Sequence, residues 1–173
     1  MSAVVESRLA RTSRRLEPAP FGADEILLTP AQKRLIRQSF VMLEPALDLV
    51  GQLFFLKLYR LDPALRERFG NDPKKLGRKF MAAAKLTVIA LKYDDCLAPT
   101  LRLLGVRQRM LGMKVRDYRL MGKAWMWTLE RSLEKQLTRQ TKDAWTALIT
   151  QVTRLLSGSD AALLHSVPGT AGN

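Results

Sequence analysis

The chain has 173 residues with one cysteine and one histidine, and its 29 Lys and Arg against 16 Asp and Glu give a formal net charge of +13. That length supports one domain with a real core, and a hydrophobic share of 47% argues against disorder. A lone Cys96 and a lone His165 exclude an intrachain disulfide, a thiolate cluster, most histidine-based catalysis and any His-rich metal site; the positive surplus attracts anionic partners without choosing among them.

The N-terminus, MSAVVESRLARTSRRLEPAPFG, carries Arg8, Arg11, Arg14 and Arg15 and no apolar secretory core. Residues 1–27 read as a basic, disordered tail, with an organelle transit peptide as the alternative. No apolar run is expected to approach the roughly 18 residues of a membrane span, and a reducing cytoplasm fits the cysteine usage.

From residue 28 onward the pattern is helical. Thr29-Pro30-Ala31-Gln32 is a capping box with Pro at the first helical position. It opens a helix with Leu35, Ile36, Phe40 and Leu43 inward. Pro45 opens a second, very apolar helix through Val50, Phe54 and Leu58. Asp62-Pro63 starts the short ALRERF, which stops near Gly70, and Asp72-Pro73 caps about five turns of helix beyond it. Asp94 and Asp95 precede the next helix, which Gly112 interrupts. A long helix is expected from about Val115 to Leu137, and a last one, capped by Thr138 or Thr141, carries Trp145, Leu148, Val152 and Leu156 to a stop at Gly158. Residues 159–173 read as a disordered tail. The phosphate-cradling glycine loops, the GxSxG elbow and the HExxH helix are absent, which argues against a hydrolase or nucleotide enzyme.

One position breaks the pattern. Leu97, Leu101, Leu104, Gln108 and Leu111 recur at helical spacing on one face, so an amide stands in an apolar stripe. The stretches LTPAQKRLIRQSF, QLFFLKLYRLDPALRERF, LGRKFM and LRLLGVRQRMLGMKVRDYRLMGKAWMWTLE, in this order over residues 28–157, resemble the bacterial single-domain globins related to the haem domain of flavohaemoglobins. The resemblance implies an all-α, globin-like fold of about seven helices over residues 28–158. In that family a histidine on the helix before the long penultimate one holds the haem iron; Leu104, Gly105 and Gly112 match its surroundings, and Gln108 stands at its place. By the same resemblance Phe69 is the aromatic that clamps haem, Phe55 stands at a distal position often held by Tyr, and Leu76 at the distal gatekeeper. Phe80 stands where a smaller aliphatic is frequent, and Tyr118 is retained.

Gln offers only a neutral amide to iron that prefers imidazole, thiolate, thioether or phenolate. The pocket of Phe55, Phe69, Leu76, Phe80, Gln108 and Tyr118 is therefore expected to be vestigial. Its aromatics would fill space that costs stability when empty, and Gln108 would be a satisfied amide bonded to Tyr118 or backbone. The expected function is a haem-free protein-interaction or sensory module, not an enzyme. Its partner would be an acidic protein, met by Arg102, Arg107, Arg109, Lys114, Arg116, Arg119 and Lys123, or a small apolar ligand in the remnant pocket. Two alternatives stay open: a haem globin with unusual axial ligation for oxygen, NO or electrons, and a charge-driven binder of nucleic acid or an anionic membrane surface. A solvated basic face is the plain reading of the same charges, and Trp125, Trp127 and Trp145 read as core. No flavin reductase domain is expected within this chain.

Overall fold

The computed structural model describes residues 26–158, apart from the side chains of residues 94–96. The Cys96 side chain, His165, residues 1–25 of the expected N-terminal tail and all of the expected C-terminal tail lie outside that set. The described residues form seven α-helices and two 3-10 turns, and no strand. In chain order these are α1 (Pro30–Leu43), α2 (Leu47–Leu61), α3 (Ala64–Phe69), α4 (Pro73–Ala90), α5 (Asp94–Met110), α6 (Val115–Leu133) and α7 (Arg139–Ser157).

The helix starts follow their capping chemistry. Gln32 N donates to Thr29 Oγ1 at 3.2 Å and Thr29 N donates back to Gln32 Oε1 at 2.9 Å, which completes the capping box of α1. Lys75 N donates to the Asp72 carboxylate at 2.9 Å, and Thr141 N to Thr138 Oγ1 at 3.2 Å, so Thr138 caps α7. The long helix stops at Leu133, short of Leu137, because Glu134 takes a φ of 45° and the chain tightens into a 3-10 turn to Gln136. The domain reaches slightly further back than residue 28: Ile26 is buried, and Leu27 exchanges two backbone hydrogen bonds with the Gln151 amide on α7.

Helix α2 packs on α4 and α6, α5 on α7, and α7 also on α1 and α6. The α2–α4 crossing is set by Gly51 and Gly77. A Cβ on Gly77 would lie 2.6 Å from the Gly51 carbonyl carbon, and a Cβ on Gly51 2.6 Å from the Gly77 carbonyl oxygen. Backbone meets backbone there, so only glycine allows the approach. One turn further along each helix, Phe54 and Phe80 stack face to face. Gly105 does the same for α5 and α7, where an added Cβ would fall 2.3 Å from the Leu156 carbonyl oxygen. At the α1–α7 contact, Trp145 Nε1 donates to Ser39 Oγ at 2.9 Å and that hydroxyl donates to Leu35 O at 2.8 Å, so the buried polar atoms are paired.

The stretch Pro30–Leu61 is long and apolar enough to cross a membrane by length and composition, although it contains no long uninterrupted apolar run. Its Ile36, Phe40, Leu43, Val50, Phe54 and Leu58 are buried in the core of this fold. The apolar stripe of α5 holds only in part. Leu97 and Leu101 are buried, but Leu111 falls past the helix end and is 79% exposed, because the chain turns at Gly112 with a φ of +88°.

Candidate functional site

Between α4 and α5 on one side and α6 and α7 on the other lies a cavity of about 180 Å³. Phe80, Gln108 and Tyr118 line it. The other three members of the expected pocket do not. Phe55 and Phe69 belong to an aromatic cluster beside the cavity, and Leu76 packs against the edge of the core.

The cluster occupies the space on the α2 side of Phe80. Phe54 and Phe80 are stacked with centroids 3.9 Å apart and planes 6° from parallel. Phe55 meets Phe54 edge-on at 5.0 Å, Phe80 at 6.3 Å and Phe69 at 6.1 Å. Trp125 meets Phe80 at 5.3 Å and Trp145 at 5.8 Å, both edge to face. Aromatic pairs in these geometries each add about 0.5–1.5 kcal/mol beyond the area they bury.

Sequence reasoning treated Trp125 and Trp145 as core only. Both are buried, and both also line the cavity, as does Met121. The signal was available: Tyr118, Met121 and Trp125 stand three and seven residues apart, which places them on one face of α6. Core and cavity wall share that spacing, so periodicity alone does not tell them apart.

The expected bond between Gln108 and Tyr118 is not made. Gln108 is half-buried, and its Oε1 is a buried atom without a hydrogen-bond partner among the described residues; the Tyr118 hydroxyl is in the same condition. Tyr118 is only 2% exposed, so bulk solvent does not reach it. Burial pushes its phenol above the ordinary tyrosine range, opposed by Arg109 and reinforced by Asp117, so the group is protonated at neutral pH. The cavity walls carry no charged side chain.

The basic residues between Arg102 and Lys123 do not form one free surface. The Arg109 guanidinium donates to Leu156 O at the end of α7, which caps a helix carbonyl with a cation. Arg116 pairs with Asp62 at 3.2 Å, and Arg102 is half-buried. Arg107, Lys114, Arg119 and Lys123 are exposed. Asp117, the one acid in the segment, is turned inward: its carboxylate accepts from Arg68 at 2.8 Å and from Lys114 N at 2.8 Å, tying α3 to the start of α6.

The model of the globin family matches residues 54–156, more than half of the chain. Similar curated proteins include the flavohemoproteins of Bordetella parapertussis and Bordetella bronchiseptica. Each is 25% identical over 140 residues, covering 79% of this chain and 35% of the relative. The chain thus spans about a third of the length of those relatives. Among solved structures, a hexacoordinated heme protein from an anhydrobiotic tardigrade superposes with a TM-score of 0.70 at 17% identity, over 77% of this chain and 95% of that one, a likeness of fold.

Proposed function

The chain belongs to the globin family, and on that premise we propose that it is a globin that works without haem, as a sensory or interaction module. It holds a small, mostly apolar ligand in the cavity and meets an acidic protein through Arg107, Lys114, Arg119 and Lys123. The observation that carries this reading is the state of Gln108. By the sequence resemblance Gln108 stands at the place of the family's iron-binding histidine; it is a neutral amide, which iron accepts poorly, and the space around it is divided. Phe54, Phe55, Phe69 and Phe80 occupy one part. The remaining 180 Å³ is close to the ~150 Å³ apolar cavity that takes up benzene or xenon, whereas a macrocycle of four pyrrole rings needs several times that room. The residues present do not fit haem.

A second reading is favoured by one observation. Met121 sets a thioether on the cavity wall, and thioether is an accepted axial ligand. On that reading the chain binds haem with unusual ligation and serves oxygen, NO or electron transfer. It requires the stacked Phe54 and Phe80 to separate.

The two readings divide on a variant series. Gln108→His restores an imidazole on the right helix. With the aromatics in place it should leave the protein without haem, and only its combination with Phe55→Leu and Phe80→Leu should take haem up. Haem titration followed by absorption, with circular dichroism to establish folding, measures both. Uptake by the single Gln108→His variant contradicts the filled pocket. Uptake by the wild type that is lost in Met121→Leu supports the second reading.

A further inference from the structure

We infer that the cavity is built for a neutral, single-ring, mostly apolar molecule carrying one hydroxyl group, which Gln108 and Tyr118 would hold together. The inference rests on the haem-free reading and narrows its ligand.

The two unpartnered atoms specify the ligand's polar end. Gln108 Oε1 is an acceptor lacking a donor, and the Tyr118 hydroxyl is a donor lacking an acceptor. Both residues line the cavity, and a ligand hydroxyl seated between them would meet both needs, donating its hydrogen to the amide oxygen and accepting from the phenol. Burial keeps that phenol protonated, so its donor is retained at neutral pH. No charged side chain lines the walls, and Arg109 and Asp117 act on the Tyr118 hydroxyl with opposite signs from behind it, so a ligand carboxylate or ammonium would leave water without a direct ion pair. The polar Thr87 does not compete, since its hydroxyl donates to Ala83 O at 2.9 Å within α4.

The remainder of the cavity specifies the ligand's body. Its walls are predominantly aliphatic and aromatic, with Trp125 and Trp145 among them, and its 180 Å³ suits one six-membered ring with a short substituent. The exposed lining residues are Ala83 on α4 and Leu104 on α5, so the cavity opens between those two helices, with half-buried Gln108 one turn beyond Leu104.

The test compares two probes that differ by one hydroxyl, 4-fluorobenzyl alcohol and 4-fluorotoluene. Each is titrated into the full-length protein and followed by fluorine NMR, where the rings of Trp125 and Trp145 shift the resonance of a bound probe. The alcohol should bind about tenfold more tightly than the toluene. Gln108→Leu should bring the two probes to parity, and Tyr118→Phe should narrow the gap while removing no more than one oxygen atom from the cavity wall. Equal affinity in the wild type, or no shift for either probe, overturns the inference and leaves the haem-free reading standing. A strong haem absorption band in the same sample overturns the reading beneath it.

Discussion

Gly77→Ala should destabilise the domain by roughly 2 kcal/mol or more, although alanine is the better helix former. In an open helix the exchange gains about 1 kcal/mol. Here the new methyl would sit 2.6 Å from the Gly51 carbonyl carbon and 2.9 Å from Gln52 N. Neither atom yields without moving a helix, and overpacking of this kind costs about 1–3 kcal/mol and sometimes more. The displacement would also loosen the Phe54–Phe80 stack one turn away, which the crossing brings into register. Gly51→Ala should behave alike, and the double variant should cost less than the sum, because the first methyl already forces the helices apart. Urea denaturation of the three variants measures this. A gain in stability for Gly77→Ala would mean that the crossing has room to spare.

Asp117→Ala should cost about 2–4 kcal/mol, which for a chain of this size lowers Tm by roughly 4–16 °C. The side chain is 3% exposed and performs two tasks: it accepts from the Arg68 guanidinium and caps the first turn of α6 through Lys114 N. Loss of a cap costs about 1 kcal/mol, and loss of a hydrogen bond to a charged group about 1.5–3. Arg68 is 34% exposed and also donates to Gly112 O, so it is not stranded, and the total stays below that of a fully buried broken pair. Asp117→Asn keeps a cap acceptor and loses the charge, so it should fall between. Thermal unfolding by circular dichroism separates the three proteins. Equal Tm values for wild type and Asp117→Ala would mean that α3 is not tied to α6 by this contact.

The parts of this fold that were legible in the sequence are those decided by local chemistry. Thr29, Asp72 and Thr138 cap where an oxygen side chain precedes a periodic run, and Gly70, Gly112 and Gly158 turn where φ must be positive. What could not be read locally is which neighbour a side chain meets. Arg109 stands in a run of basic residues and reads as surface charge, yet the Gly105 crossing brings the end of α7 within its reach. Asp117 reads as a lone opposing charge on that surface and is an internal clamp instead. Gln108 was recognisable as a break in an apolar stripe, but nothing near it in sequence tells that its oxygen lacks a donor. That depends on Tyr118 arriving from another helix without bonding to it.

The claim on which the rest depends is that this globin does without haem, and its most direct measurement is the visible absorption of the full-length protein expressed with ample haem and passed through gel filtration. No intense Soret band is expected on the proposed reading, in which Gln108 supplies no axial bond and the aromatic cluster takes up part of the space that the macrocycle would need. Haem that co-purifies in a one-to-one ratio and survives the column would contradict it.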